Sequence, residues 1–178
     1  MPIRKIIQSQ LSGGSEANEA LLHSSAIYAH SLNDEIINVI QDLRDTFWAY
    51  PFCVGLSAPQ IGSSYAISIV NPTRESSKQD LIIINPKIIT LSGKKDRKRE
   101  SCMSVWGMLG EVERRDKLLL EYRDINFNPQ KTSFSGFLSR VVQHELDHLN
   151  GILYTDRLYK DTVLEHADFF DNFSLIDS

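Results

Sequence analysis

The residues best suited to chemistry stand in one stretch, from Gln143 to Gly151. His144 and His148 are four residues apart, which on an α-helix is about 400° of rotation, so both imidazoles leave the same face one turn apart. Two imidazole nitrogens placed in this way can bind one metal ion, and Glu145 beside them can take and return a proton. The stretch therefore predicts a metal-binding helix that carries its own acid/base.

The sequence around this stretch favours a helix that is set into a core. Asn150-Gly151 is a helix stop signal, and Ser133 or Ser135 is placed to cap the start. In the alternative interpretation both histidines are structural core residues, but the segment is amphipathic, as the metal-binding motif requires. The apolar residues at helical spacing are Phe137, Leu138, Val141, Val142 and Leu149.

A catalytic metal site of this kind needs a third protein ligand and one open position. A third histidine six residues past His148 is excluded, because that position is Tyr154. Glu165 or Asp168 would complete a set of two histidines and a carboxylate, although neither has supporting sequence around it. Cys102 is the stronger candidate, because a thiolate binds zinc or ferrous iron well. We rank a nucleophilic or a merely buried Cys102 below this interpretation.

The loop from Gly55 to Gly62 holds two glycines and a proline within eight residues, which marks a shaped turn. It is either a tight turn and nothing more, or a backbone that a substrate approaches closely. In the second case Gln60 would supply a side-chain amide. The loop taken alone leaves both interpretations open.

The remaining elements must hold these residues in place. Residues 1–32 are predicted to form a polar arm over the body, and a helix is predicted over 34–50 with Asn33 as its N-cap. The basic run 93–99 is predicted to be a solvated hairpin loop, and 162–173 a short terminal helix. The predicted strands span 65–70, 81–84, 87–91, 112–122 and 152–154. One helix, several strands, a core helix and a tail indicate the α+β class.

Composition limits the classes of protein that remain. With 178 residues, 42% hydrophobic and 24% charged, the chain is predicted to be one globular domain. A net charge of −4 argues against nucleic-acid binding through phosphate contacts. Two cysteines do not make a disulfide framework, and we see neither an N-terminal signal nor an apolar run long enough for a membrane span. The expected location is the cytoplasm.

Three stretches coincide, in the same order, with the motifs of one family. Cys53-Val54-Gly55-Leu56-Ser57-Ala58-Pro59-Gln60 resembles the Gly-x-Gly-Leu-Ala-Ala-Pro-Gln loop of the peptide deformylases. Glu100-Ser101-Cys102-Met103-Ser104 resembles their Glu-Gly-Cys-Leu-Ser motif, and 143–151 resembles their Gln-His-Glu-x-Asp-His-Leu-x-Gly helix. The resemblance covers about 34–158. Three ordered motifs are far more specific than the His-Glu pair alone.

The resemblance implies a role for each matched position. One divalent metal ion is implied, natively Fe²⁺, for which Zn²⁺, Ni²⁺ or Co²⁺ can substitute. Arg114, in a Val-x-Arg match, is implied to pair with Glu100. The implied metal ligands are Cys102, His144 and His148; the implied catalytic groups are Glu145 as acid/base and Gln60 and the backbone N–H of Met103 at the oxyanion; the implied substrate-binding residues are Val54, Gly55, Ser101 and Val141.

The fold that the resemblance implies is α+β, with mixed, mostly antiparallel sheets around the metal-binding helix, an N-terminal helix and a C-terminal tail or short helix. It implies a single domain over 1–178 that removes the N-formyl group from the N-formylmethionine of newly made polypeptides. The enzyme is expected to be a cytoplasmic monomer near the ribosome exit that binds neither nucleic acid nor membranes. Two alternatives remain open: a metallopeptidase with Glu165 as third ligand, and a catalytically silent binder of modified N-termini.

Five positions depart from the family pattern: Cys53, Ser57, Ser101, Met103 and Trp106 stand where Gly, Ala, Gly, Leu and Pro are usual. None of these changes removes a ligand, the acid/base or the oxyanion amide. Side chains at 53 and 101 are expected to crowd the substrate backbone, since glycine often marks a close approach. We therefore expect effects on substrate range and rate rather than on reaction type.

Overall fold

The computed structural model describes residues 3–75 and 80–175. The α+β class is confirmed, and the predicted core helix that carries His144 and His148 is present. The helices are α1 (Glu16–Leu22), α2 (Asp34–Ala49) and α3 (Gly136–Leu149), and the strands are β1 (Gly55–Ser57), β2 (Ile67–Val70), β3 (Leu81–Cys102), β4 (Val105–Arg123), β5 (Pro129–Ser135) and β6 (Glu165–His166).

The described strands form one sheet in the order β1-β2-β3-β4-β5, with β6 beside β4. Every one of these pairs is antiparallel, and the parallel contact among the described residues is an isolated bridge between Ile27 and Tyr65. Helix α3 packs against β1, β2, β4 and β5. Strands from both ends of the sheet therefore pack on this helix, β1 and β2 from one end and β4 and β5 from the other.

Strands β3 and β4 form one long hairpin, which the sequence did not predict. The sequence predicted separate strands over 81–84 and 87–91. The structure has instead a register shift between Ile84 and Lys87, where Asn85 adopts a φ of 51° and β3 continues. The expected basic hairpin loop over 93–99 is also wrong, because these residues continue β3 beside β4. Lysines and arginines suit an exposed sheet edge as well as a loop, so composition alone does not separate the two.

Helix α2 matches its prediction closely. Asn33 Oδ1 accepts a hydrogen bond from the Ile36 N–H at 3.0 Å, which confirms the N-cap. An apolar stripe at helical spacing, made of Ile36, Ile40, Leu43 and Phe47, is buried in the core. The helix ends at Ala49, shortly before Pro51.

The N-terminal arm crosses the body beside two of the sequence motifs. Ile6 is buried, the Ile7 N–H donates to the Gln60 carbonyl at 2.8 Å, and the Ser9 N–H donates to the Ser104 carbonyl at 2.8 Å. The arm therefore ties the 55–62 loop to the turn between β3 and β4.

The chain after α3 differs from its prediction. Residues 152–154 form no strand, because the Leu153 N–H donates to Asp156 Oδ2 and closes a 3₁₀ turn over Tyr154–Arg157. The predicted terminal helix over 162–173 is instead β6 followed by a 3₁₀ turn, Asp168–Asn172. Among the described residues no helix is both long and apolar enough to cross a membrane.

Candidate metal centre

Three soft or borderline ligands meet at one point of the fold. Helix α3 presents His144 and His148 on one face, and Cys102 ends β3 just before the two-residue turn to Val105. The ligand atoms of the three residues lie within 4.8 Å of one another, with Cys102 Sγ 3.1 Å from His148 Nε2. A thiolate and two imidazoles are a donor set that fits one zinc or ferrous ion and leaves a position open.

The other candidates for the third ligand lie elsewhere. Glu165 is exposed on β6 and pairs with Arg99 at 2.9 Å. Asp168 belongs to an exposed group with His166 and Asp171. Neither carboxylate, which the sequence left as a weaker alternative to Cys102, lies in the group of potential ligands formed by Cys102, His144 and His148.

Helix α3 begins and ends close to its predicted bounds. Ser135 occupies the N-cap position, although its side chain makes no capping hydrogen bond. At the other end Asn150 Nδ2 donates to the Leu146 carbonyl at 2.7 Å, and Gly151 takes the left-handed conformation at φ 69°.

The carboxylate of Glu100 orients His144. It accepts from His144 Nδ1 at 3.0 Å, from Arg114 Nε at 2.6 Å and Nη2 at 2.8 Å, and from Arg140 Nη1 at 2.5 Å. Burial alone would raise the pKa of Glu100, but the hydrogen bonds from His144 and Arg114 outweigh burial and lower it. With Nδ1 bound to Glu100, His144 turns Nε2 towards the ligand cluster.

The pairing of Arg114 with Glu100 was predicted, whereas the role of Arg140 was not. Arg140 is buried, and its Nη2 also donates to the Asp96 carbonyl at 2.6 Å. Asp147 accepts from Arg114 Nη1 at 2.8 Å and is held by Arg157 at 2.7 Å. An arginine four residues before a metal-ligand histidine, on the same helix face, was the signal available in the sequence.

His148 is set up as a neutral ligand. Burial lowers the pKa of His148, and the positive charge of Arg114 nearby lowers it further. Its Nδ1 is buried and has no hydrogen-bond partner among the described residues. A neutral imidazole is the form that binds a metal ion.

Glu145 lines a cavity that opens beside Cys102 and His144. Its side chain is buried, and Oε2 accepts from Ser57 Oγ at 2.7 Å. Burial raises the pKa of Glu145, while His144 and the hydrogen bond from Ser57 act in the opposite direction. A carboxylate held in this way is suited to accept a proton and return it.

Gln60 is held so that its amide faces the ligands. Its Oε1 accepts from the Ser57 backbone N–H at 2.9 Å, so the opposite end of the amide carries the protons. Nε2 lies 3.2 Å from Ser104 Oγ and 3.5 Å from Cys102 Sγ. A side-chain N–H is therefore aimed at the site, as an oxyanion donor must be.

Met103 stands in the turn after Cys102 and lines the cavity. Its carbonyl accepts from Gln8 Nε2 at 2.8 Å, and Gln8 Oε1 lies 3.4 Å from the Trp106 N–H. Sequence reasoning missed Gln8, because only the path of the N-terminal arm brings it to this turn.

A cavity of about 260 Å³ opens beside the ligand cluster. All four predicted substrate-binding residues, Val54, Gly55, Ser101 and Val141, line it together with Glu145 and Gln60. Four phenylalanines add an aromatic wall: Phe52, Phe137, Phe169 and Phe170. The sequence analysis named only Phe137, as an apolar residue of the core helix, and the structure leaves that side chain half exposed.

The structure shows the contacts of Cys53 and Trp106, two residues that depart from the family pattern. Cys53 lines the cavity, its Sγ donates to the Gly55 carbonyl at 3.1 Å, and burial raises the pKa of this thiol, so it stays protonated. Both cysteines are free thiols. Trp106 packs on Phe170 with ring centroids 4.5 Å apart and on Tyr50 at 6.3 Å, and so supports the aromatic wall from behind.

The chain is similar to known proteins over most of its length. The profile of the family described as polypeptide deformylase matches residues 15–163. A peptide deformylase of Chlorobium luteolum is 35% identical over 146 residues, which is 80% of this chain and 76% of that protein. The crystal structure of a peptide deformylase from Legionella pneumophila has a TM-score of 0.79 at 31% identity and covers 89% of this chain and 88% of its own. A peptide deformylase from Synechococcus elongatus, solved in complex with actinonin, has a TM-score of 0.79 at 29% identity, covering 90% and 81%.

Proposed function

The chain belongs to the polypeptide deformylase family, and on that basis we propose that it removes the N-formyl group from N-formylmethionine at the start of newly made polypeptides. The reaction consumes water and releases formate and a peptide with a free methionine amine. The observation that carries the proposal is the group of Cys102, His144 and His148, with Glu145 and Gln60 in the wall of the cavity beside it.

We propose one divalent metal ion held by Cys102, His144 and His148, with Fe²⁺ as the native ion and Zn²⁺, Ni²⁺ or Co²⁺ as substitutes. The support is the chemistry of the donor set, since a thiolate with two imidazoles suits these ions. When bound, such an ion supplies a Lewis acid that polarises a carbonyl and lowers the pKa of water.

Glu145 is the proposed acid/base. Its carboxylate takes a proton from the attacking water and gives it to the amine as the carbon–nitrogen bond of the formamide breaks. The proton therefore ends on the peptide, and the water oxygen ends in formate. The burial of Glu145 and its place in the cavity wall support this role.

Gln60 and the Met103 backbone N–H are the proposed donors to the formyl oxygen as negative charge develops on it. Donors that are fixed before the reaction spend no energy on reorientation during it. The contact of Gln60 Oε1 with the Ser57 N–H supports Gln60 in this role, because it fixes the amide plane.

The proposed substrate site is the cavity lined by Val54, Gly55, Ser101 and Val141. The backbone around Gly55, which begins β1, is the proposed partner for the peptide main chain. We propose further that residues 1–178 act as one domain and as a cytoplasmic monomer near the ribosome exit. The support is chemical: formylated chains first become accessible where they leave the ribosome.

The test is deformylation of a formyl-Met-Ala peptide by anaerobically purified, ferrous-loaded protein, with metal content measured on the same sample. We expect turnover with one metal ion per chain, and loss of both metal and turnover in Cys102→Ala. Bound metal without turnover would support the silent binder instead. Retention of metal by Cys102→Ala, with cleavage of unformylated peptides, would support the metallopeptidase.

A further inference from the structure

Two serine hydroxyls lie in line behind Glu145. Ser57 ends β1, and Ser68 is its direct partner across the β1–β2 pair, so both side chains lie on the same face of the sheet. Ser68 Oγ is 2.8 Å from Ser57 Oγ, which is 2.7 Å from Glu145 Oε2. Both serines are fully buried. Ser57 also stands where the sequence motif of the family has alanine.

The direction of these hydrogen bonds follows from the number of protons. Both acceptors in front of Ser57 Oγ belong to Glu145: Oε2 of the side chain at 2.7 Å and the backbone carbonyl at 3.1 Å. An ionised carboxylate and a carbonyl only accept, so Ser57 donates its single hydroxyl proton to Glu145. Ser68 is then the donor in the hydrogen bond between the two serine hydroxyls. The Ser57 hydroxyl is thus held in one rotamer by a donor behind it and an acceptor in front of it.

We propose that Ser57, supported by Ser68, is a positioning residue for the reaction. It holds Oε2 of Glu145 against the sheet, so that the carboxylate plane is fixed and Oε1 is left for the reacting water. This inference rests on the function proposed above and adds a residue to it. The geometry that carries it is the continuous contact Ser68–Ser57–Glu145, which links a core strand to the acid/base.

Ser57→Ala removes the hydroxyl and keeps the backbone N–H that holds the Gln60 side chain. Gln60 is held by the Ser57 backbone N–H at 2.9 Å, and that bond remains in Ser57→Ala. Ser139 offers a matched control: it is a buried serine of α3 whose hydroxyl lies 3.0 Å from Gln143 Nε2. Ser139→Ala therefore deletes a buried hydroxyl on the metal-bearing helix without touching Glu145.

The kinetic test compares four ferrous-loaded proteins on the same formylated peptide: the wild type, Ser57→Ala, Ser68→Ala and Ser139→Ala. Ser57→Ala is expected to lower kcat about tenfold or more, with KM and metal content unchanged, because a misplaced catalytic group costs rate rather than binding. Ser68→Ala is expected to lower kcat less, and Ser139→Ala to leave it unchanged. An unchanged kcat in Ser57→Ala, or a rise in KM alone, would overturn the proposal. If Ser57→Ala does not fold, an unchanged kcat in Ser68→Ala overturns it.

A second test does not depend on turnover. Unfolding of zinc-loaded Ser57→Ala, Glu145→Ala and the double variant forms a double-mutant cycle, with equal zinc content confirmed in each sample. We expect a coupling of about tenfold in the unfolding equilibrium constant, as for a hydrogen bond to a charged group. Additive effects would refute the contact between Ser57 and Glu145. Coupling without any deformylation in the wild type would refute the proposed function and leave the contact standing.

Discussion

Gly55 and Glu145 lie so close that position 55 has no room for a side chain. A β-carbon at Gly55 would stand 2.9 Å from both Cγ and Cδ of Glu145 and closer still to Oε1. The residues are far apart in sequence, and the contact forms because β1 packs beneath α3. A side chain at position 55 would therefore displace the Glu145 carboxylate.

Gly55→Ala is expected to push the Glu145 carboxylate out of place. Because the metal ligands are untouched, metal content should stay at the wild-type level while kcat falls about 100-fold. Steady-state kinetics with metal analysis measures both quantities. Ser64→Ala, on an exposed residue that follows the same loop, should retain wild-type kcat. Wild-type kcat in Gly55→Ala would show that the carboxylate has space to move.

Glu145→Gln is expected to keep the metal and lose turnover. The amide has nearly the shape of the carboxylate but cannot accept the proton, and general acid–base catalysis typically contributes about 100- to 10,000-fold. The measurement is kcat at saturating formyl-Met-Ala peptide, with metal content determined on each preparation. Turnover at the wild-type rate would show that another group is the base.

Glu100→Gln is expected to weaken metal binding. The carboxylate fixes the orientation of His144 through Nδ1 at 3.0 Å, and loss of such a contact typically lowers metal affinity by about 10- to 100-fold. Competition with a zinc chelator measures the affinity. The matched change Glu121→Gln, in the surface pair with Lys131, should not alter it. Equal zinc affinities of Glu100→Gln and Glu121→Gln would show that Glu100 does not strengthen metal binding.

Arg114→Met is expected to destabilise the fold. The guanidinium is buried between Glu100 and Asp147, and its removal leaves two buried carboxylates with fewer partners. Breaking a buried ion pair in this way costs about 3 kcal/mol of unfolding free energy. Urea denaturation at neutral pH measures the loss. Lys131→Met, in the exposed pair with Glu121, should change stability little, and a similar loss in both variants would contradict the expectation.

Phe169→Ala is expected to raise KM with little effect on folding. The side chain is partly exposed, lines the cavity and contacts the Phe52 ring at 5.9 Å. Its loss removes apolar surface from the substrate site but leaves Phe170, which is buried, in the core. The measurement is KM for formyl-Met peptides together with the melting temperature. An unchanged KM would show that the aromatic wall does not touch the substrate.

Much of the site could be predicted from the sequence because its strongest signals are local. The i, i+4 spacing of His144 and His148 fixes their common face on any α-helix, and the cap and stripe of α2 follow from the same periodicity. Ligand chemistry had already favoured Cys102, and the resemblance then implied a ligand role for Cys102 and an oxyanion role for Gln60. The structure brings Cys102 to the two histidines and turns Gln60 towards them; their functional roles remain proposals.

The errors also have a physical cause. The Lys and Arg residues of 93–99 are compatible with a loop or an exposed edge strand, and only the pairing with β4 decides between them. The apolar run 152–154 pairs with no strand in the described part of the chain, and the hydrogen bond from the Leu153 N–H to Asp156 closes it into a turn.

The sequence by itself determined the class of fold, the helix that carries His144 and His148, and the three motifs, because each depends on residues that are neighbours along the chain. Tertiary structure alone decided that Ser57 supports Glu145, that Arg140 joins Arg114 on Glu100, and that the C-terminal turn supplies part of the cavity wall. These contacts join segments distant in sequence. Their partners are set by the packing of strands around α3, and no local spacing encodes that packing.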